Sequence, residues 1–568
     1  MLSMKTNMVS SNRILNRHFL WLLGFLVASP SLLAQKGTID RSVITTFGGA
    51  KKSIDLKISD RKFEELPNFK IESPSVILKL ENRNWPLDSL PKFTEPEALK
   101  LQINGSKLAI LTVKNTNIAK FGIGNYGRTL FNFNTGYAPK ENKFLGLYVN
   151  HDANQSGSVL NEFSGRSENE VRFSSRSFGK KVFWDSRVSY KENTSAFYGM
   201  SDIPKYYTIR DLEIINNRFL VSGNFSNSDK EGKSDYSGST SFSFFSNQRN
   251  QSEWVSQSKF QYATDFSPNL IGQIDADFIL SELIQETSLS RQFYRLKPKI
   301  QFSGARIALQ VGLNIINSND GLANKSQGSV FPQISIDYAP SDIFHLFGGV
   351  GGDVQFNSLS NFSAELPWLG AKNVIKNTSQ IGNLFGGIKG TTEKYVDFEL
   401  KYSYSEFADL PFFINSASQN GAFEVIYVGD EKKVKVVNLT GHFNFKMTEG
   451  ITTGIKFDAA TYNNMILEKP FHRPNLIASW TNSIRLSNKL LLSPDVYIIR
   501  GLFARDVKTQ KAVALEDIMD LNVKLHYQMN PNTSFHIQGN NLTGKAYQRY
   551  LNYSVQGLNF NAGFGYSF

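Results

Sequence analysis

Apolar and polar residues alternate at period two through most of this chain, and the pattern is cleanest at its C-terminal end. Leu521, Val523, Leu525, Tyr527 and Met529 fall on one side of an extended backbone, with Asn522, Lys524, His526 and Gln528 on the other. After the polar turn Asn530-Pro531-Asn532, Phe535 and Ile537 alternate with Ser534, His536 and Gln538. The last run sets Leu558, Phe560, Ala562, Phe564, Tyr566 and Phe568 against Asn559, Asn561, Gly563, Gly565 and Ser567. Successive strand side chains point to opposite faces, so each run is a strand with one apolar and one polar face. Val396, Phe398, Leu400, Tyr402 and Tyr404 oppose Asp397, Glu399, Lys401 and Ser403 in the same way, as Leu439, Phe443 and Phe445 oppose Thr440, His442, Asn444 and Lys446.

Two environments can receive such strands, a sandwich core or a lipid bilayer. Beyond Gln35 there is no stretch of 18 apolar residues, which excludes a transmembrane helix. A soluble sandwich of this length would divide into domains, and no linker separates any. The 45 Phe and 22 Tyr lie in alternating strands rather than in continuous core runs. The sequence therefore predicts an all-β fold, a transmembrane antiparallel β-barrel with a lipid-facing apolar band.

Turn chemistry counts the strands. Ala138-Pro139-Lys140, Gly179-Lys180, Ser228-Asp229-Lys230, Ser267-Pro268-Asn269, Ser303-Gly304, Ala339-Pro340-Ser341, Gly390-Thr391, Thr448-Glu449-Gly450, Ser487-Asn488 and Asn530-Pro531-Asn532 favour tight reversals. They recur about every 44 residues, enough for two strands and one longer loop at the other end. Ten such turns plus an opening and a closing strand give about 22, and 16 to 22 is the range expected. The segments Ala153–Ser167, Gly199–Asp211, Asn357–Lys376, Asp409–Gly421 and Gly501–Asp517 are then extracellular loops.

The N-terminal part differs. Lys5, Arg13 and Arg17 precede an apolar run from Phe19 to Val27, and small residues lead to Ala34-Gln35. This is the layout of a cleavable signal peptide, although Leu32 departs from the small-residue pattern before the cleavage site. Residues 1–34 are read as that signal, 35–120 as a periplasmic or luminal extension, and 121–568 as the barrel. The extension carries Pro67, Pro74, Pro86, Pro91 and Pro96, a density that disfavours helix and central strand alike. The absence of Cys fits an exported envelope protein. The net charge of +12 becomes +9 without Lys5, Arg13 and Arg17, and no long basic block calls for nucleic acid. Such an excess suits anionic lipopolysaccharide or acidic partners, and equally a spread of solvated loop charges.

Motifs for chemistry are sparse. Gly122-x-Gly124-x-x-Gly127 matches the dinucleotide fingerprint in form, but an alternating strand follows it instead of a helix. Asp275 with Asp277, and Asp397 with Glu399, share faces at i, i+2, a spacing open to acid–base chemistry or Ca²⁺ but, on a luminal face, more often simply the polar half of a barrel wall. His18, His151, His345, His442, His472, His526 and His536 show no ligand spacing, and His526 and His536 read as luminal or rim residues. No nucleophile elbow is present. Trp85, Trp184, Trp254, Trp368 and Trp480 suit an interfacial girdle or loop packing before ligand stacking. Gly348-Gly349-Val350-Gly351-Gly352 marks a strand bend or a close approach to the wall. The expectation is a protein without enzymatic activity, cofactor or metal.

Asn540-Asn541-Leu542-Thr543-Gly544-Lys545-Ala546-Tyr547, then Gly557, Phe560 and the terminal Gly565-Tyr566-Ser567-Phe568, resemble the end of TonB-dependent receptors. Gly122 to Tyr126, Asn150-His151 and Ser156-Gly157 are similar to the start of smaller barrels of that kind. The resemblance implies an outer-membrane barrel of a Gram-negative envelope, with Tyr566 and Phe568 as the aromatic closing signal read by the barrel assembly machinery. That family carries a plug of well over a hundred residues, and only about 85 lie between Gln35 and Phe121. The expected fold is thus receptor-like without a full plug. Three functions follow, in order: a structural or accessory subunit of an envelope assembly or secretion complex, bound to other envelope proteins; a porin or receptor-like channel for solute uptake; and an enzyme built into the wall.

Overall fold

The computed structural model describes residues 117–568, apart from 141, 158, 201–207, 228–233, 323–325, 393–394, 431, 449 and 464. The expected signal peptide and nearly all of the extension lie outside the described residues. The first strand, Ile118–Gly124, begins slightly before the expected boundary at 121.

Twenty-two antiparallel strands form one sheet. It closes where Ile118–Gly124 pairs with the last strand, Asn559–Ser567, in a register that sets Phe121 opposite Phe564 and Gly122 opposite Gly563. Closure leaves no free edge, which a bilayer demands because nothing there can bond an unpaired backbone group. The count is the upper end of the sequence range and equals the count taken from the turns. Nine of the ten turn signals fall at reversals between paired strands, for example Leu270–Ile284 against Ser252–Ser267 around Pro268. The tenth, at 228–230, lies outside the described residues, though Glu213–Asn227 and Ser234–Asn247 on either side of it pair directly.

Alternation divides the wall as the sequence predicts. On Ser288–Ser303, Tyr294, Leu296, Ile300 and Phe302 are exposed on the outside, and Arg291 and Phe293 are buried on the inside. Neighbouring strands continue the outer band with Phe260, Phe278, Leu309, Val311, Leu313, Ile334 and Ile336. An apolar surface of that extent is stable only against lipid.

Phe568 N–H donates to the Asn117 carbonyl at 3.0 Å, and Asn532 Nδ2 to Ser567 O at 2.6 Å. Both chain ends of the barrel thus lie at the end that carries the tight turns. The opposite end carries longer connections at 155–165, 197–212, 356–377, 409–433, 464–475, 501–517 and 541–558. Four of the expected loops match closely. The fifth, expected at Asp409–Gly421, extends to 433 because it holds its own hairpin, Leu410–Asn415 with Phe423–Val428. The connections at 464–475 and 541–558 were not among the expected loops.

Gly348 to Gly352 lie in the strand Phe344–Gln355, whose register against Thr378–Thr391 shifts between Gly351 and Asp353. A Cβ at Gly349 would collide with the Ile334 carbonyl oxygen, so the glycines do mark a bulge with close backbone approach. Gly127 sits at φ +62° in the reversal before Arg128–Lys140, which makes the formal fingerprint a turn between two strands.

Candidate functional site

The luminal carboxylates have partners in the wall. Asp275 pairs with Lys299 at 3.0 Å and Asp277 with Arg295 at 3.4 Å, across adjacent strands. Asp353 joins the group through Arg295 at 2.9 Å and Lys297 at 3.3 Å. Their i, i+2 spacing is therefore the polar half of a strand cross-linked to the next. Asp397 accepts from Thr391 Oγ1 at 2.5 Å and lies apart from this group, and Glu399 is in register with His442. His526 and His536 face each other across strands Ile518–Gln528 and Thr533–Asn540 on the luminal side. His345 bonds Asp337 at 2.8 Å. No cluster of His, Cys, Asp and Glu among the described residues is arranged to hold a metal ion.

What the fold does assemble lies at the mouth. The 356–377 connection carries a short helix, Leu359–Glu365, capped by Ser358, whose Oγ accepts from Asn361 N at 3.1 Å. Both ends of this loop close on one buried wall residue, Arg291. Its Nη1 donates to Asn357 O at 2.7 Å, its Nη2 to Asn377 Oδ1 at 2.9 Å, and the guanidinium lies 4.4 Å from the centre of the Phe356 ring. Glu253, fully buried on its own strand, stands 3.6 Å from Arg291 and accepts from Ser360 N at 3.2 Å. Gln251 and Gln285 add bonds to Ala371 O at 2.8 Å and Asn373 O at 2.9 Å.

Held in this way, the loop reaches across the opening. Trp368 stacks on Tyr553 at 3.8 Å between ring centres, and its Nε1 donates to Ala196 O at 2.9 Å. Tyr553 also meets Tyr198 edge-on at 4.8 Å and donates its hydroxyl to the Gly421 carbonyl. Leu359, Leu366, Ile375, Phe413 and Phe423 complete a buried core with Phe245 and Leu283 of the wall. Phe245 and Leu283 belong to the seventh and ninth strands of the ring, whereas Tyr553 lies in the connection between the last two. This core therefore spans the mouth from one side to nearly the other. Of the tryptophans, Trp184 and Trp480 face outward with about half their surface exposed. Trp368 packs within the loops.

A charged group sits inside this layer. Arg473 bonds Glu365 at 2.7 Å and the Pro411 carbonyl at 3.3 Å. His472 is fully buried beside it, and burial first, then the positive charges of Arg549 and Arg473, lower its pKa to about 3, so it is neutral. Arg549, in the small hairpin of the last connection, is only 2% exposed. Below the layer lies a cavity of about 470 Å³. Arg549, Trp368, Tyr550 and Tyr553 form its roof, and His526, His536, Asn522 and Asn132 line the wall beneath.

The C-terminal motif gains a physical meaning. Asn541 stands just beyond the strand Thr533–Asn540 at φ +47°, a conformation that Asn tolerates better than most residues. Its backbone N–H donates to Asp520 at 3.2 Å and Asn522 at 3.1 Å, and its side chain donates to Lys545 O and Gln556 O at 2.7 and 2.9 Å. Tyr547 donates its hydroxyl to the same Asp520. The Asn-Leu…Tyr spacing thus pins the last connection to the wall. Tyr566 and Phe568 point outward, and Phe568 lies 6.3 Å from Phe133, ring to ring. Arg291, Glu253, His472 and Arg549 carried no signal in the sequence. Arg291 occupies an ordinary inward position of an alternating strand, and only the fold brings a loop from far along the chain onto it.

No protein-family model matches the sequence, and no curated protein matches it. Solved structures do. The FrpB iron transporter from Neisseria meningitidis (F3-3 variant) superposes with a TM-score of 0.64 at 10% identity, over 80% of this chain and 82% of that one. The siderophore receptor PiuA from Acinetobacter baumannii matches with a TM-score of 0.59 at 8% identity, and the copper transporter OprC with 0.59 at 11%, each over 80% of this chain and 82% of the other. At such identities the likeness concerns the fold, and it agrees with the resemblance carried by the C-terminal motif: the described chain is a TonB-dependent-receptor-like outer-membrane β-barrel of 22 strands.

Proposed function

We propose that this protein is a receptor-like channel that takes up a solute across the outer membrane. The observation that carries the reading is the loop layer. Loops from several connections fold onto one another, bury a common aromatic core across the mouth, and cover a cavity lined by their own aromatic rings and by polar residues of the wall. A purely structural subunit has no need of a roofed internal chamber. This reverses the order expected from sequence, where the accessory-subunit reading stood first. The solved structures that share the fold bear names of transporters and receptors, which favours transport here over catalysis and over a scaffolding role. Contact with lipopolysaccharide at the rim, and recognition of Tyr566 and Phe568 by the assembly machinery, belong to the same proposal.

Purification of the full chain from native membranes in mild detergent, followed by solute-flux measurement in liposomes, tests it. A barrel that purifies without stoichiometric partners and conducts small solutes supports the proposal. An inserted but impermeable barrel that always carries other envelope proteins in fixed ratio would return the accessory-subunit reading.

A further inference from the structure

The charges in the roof do not balance. Arg473 is neutralised by Glu365 at 2.7 Å, and the neighbouring His472 is neutral. Arg549 is left over. It is only 2% exposed, and none of its three side-chain nitrogens meets a hydrogen-bond acceptor among the described residues. The face of Tyr550 lies 5.6 Å from its guanidinium carbon, and Glu365, already bonded to Arg473, attracts it without a hydrogen bond. A guanidinium presents five donors in a rigid planar fork, and removing them from water without an acceptor is strongly unfavourable. Arg291 and Arg295, two buried cations of the luminal wall, differ: each leaves only its Nε without a partner, Arg291 bonding Asn357 and Asn377 and Arg295 pairing with Asp277 and Asp353.

Arg549 also borders the cavity, next to the rings of Trp368, Tyr550 and Tyr553. We propose that this roof is a binding site for a small organic oxyanion, a carboxylate or phosphate whose head group is taken by the fork of Arg549 and whose body lies against the aromatic rings. This rests on the receptor-like reading and names the class of solute for it. The chemistry matches at three levels. A planar two-oxygen anion accepts two parallel N–H bonds from one guanidinium. The low-dielectric roof strengthens that pairing relative to water. A volume of about 470 Å³ is that of a small-molecule pocket. Bare Arg549 destabilises the loop layer, and the incoming anion removes the imbalance, so binding and loop closure reinforce each other.

The test uses calorimetric titration of the full chain in detergent with citrate, with inorganic phosphate and with glycerol as a neutral probe. Saturable binding of citrate or phosphate but not of glycerol is expected. The preferred anion tells a carboxylate solute from a phosphate one. Arg549→Gln should weaken the binding at least tenfold, Arg549→Lys should weaken it less, and Lys372→Gln, at the exposed pair with Glu286, should leave it unchanged. A second reading guards against misfolding. Without anion, Arg549→Met should keep or raise the temperature at which the barrel unfolds, because an unpaired buried charge is gone. Anion should raise that temperature in the wild type alone. Equal oxyanion affinity in wild type and Arg549→Gln would overturn the site. So would a lowered unfolding temperature in Arg549→Met together with no anion effect on the wild type, which is the behaviour of a purely structural arginine. Titration reads the site and flux reads the channel, so binding without flux overturns the channel alone, and flux without Arg549-dependent binding overturns the site alone.

Discussion

Replacing Arg291 with Ala should release the 356–377 loop without unfolding the barrel. Arg291 is fully buried and makes two hydrogen bonds, to Asn357 O and Asn377 Oδ1, at the two feet of that loop. Hydrogen bonds from a charged donor contribute roughly 1.5–3 kcal/mol each. The substitution would also leave Glu253, 1% exposed, without the cation 3.6 Å away. Breaking a buried ion pair from one side costs about 3–5 kcal/mol, and we take that range for the whole effect because the contributions overlap. The loss should concentrate in the loop, since strand Ser288–Ser303 keeps its backbone ladder to both neighbours. With a tenfold change for about every 1.4 kcal/mol, the open population should rise about a hundredfold or more. Hydrogen exchange read by mass spectrometry on peptides covering 357–377 would show it as exchange faster by that factor, with wall peptides unchanged. The double variant Arg291→Met with Glu253→Gln removes the stranded Glu253 charge but neither restores the two loop hydrogen bonds nor pairs Asp320, 3.6 Å from Arg291 in the wild type, so it should recover only part of the protection. Unchanged exchange in Arg291→Ala would refute the latch, and so would equal acceleration across the wall strands.

Three further outcomes follow from the same geometry. His472 has a folded pKa of about 3 against 6.5 when unfolded, so the unfolded state binds the extra proton below pH 6.5 and the loop layer loses stability on acidification, by at most about 1.4 kcal/mol per pH unit; pH-dependent exchange of loop peptides should show this, and His472→Phe should flatten the profile between pH 6.5 and about 3. Gly563→Val should damage closure, because a Cβ there would collide with the Phe121 carbonyl oxygen across the seam; overpacking of this kind costs roughly 1–3 kcal/mol, and the heat-stable compact band of the folded barrel on a gel should weaken. Phe568→Ala should lower the amount of barrel assembled in cells while the refolded protein keeps its unfolding temperature, since Phe568 is about half exposed and its ring lies beside Phe133 and Tyr566 at the edge of the band.

The barrel was legible in the sequence because each of its rules is local. Alternation within one strand tells which side meets lipid, and a Pro-Asn or Gly-Lys pair marks a reversal without knowledge of the rest of the chain. Ten such reversals therefore sufficed to count 22 strands. The roof was not legible, because its contacts join residues from distant connections: Trp368 with Tyr553, Arg473 with Glu365, Arg291 with Asn377. Trp368 reads in the sequence like any other aromatic of an interfacial belt, and its role follows only from where the 356–377 loop is tied down. The 464–475 connection carries no turn signal beyond Pro470 and Pro474, yet it supplies His472 and Arg473 to the roof. Asp275 and Asp277 were readable only as the polar half of a strand for the converse reason: spacing on one strand says nothing about the cations on the next, and Lys299 and Arg295 supply them.

Single-channel recording of the full chain in planar bilayers, wild type beside Arg291→Ala, tests the central claim that a latched loop layer closes the mouth above a conducting chamber. The wild type should show a small conductance and Arg291→Ala a larger, more persistent one. Equal conductance in the two proteins, with hydrogen exchange showing that the loop has opened, would contradict it.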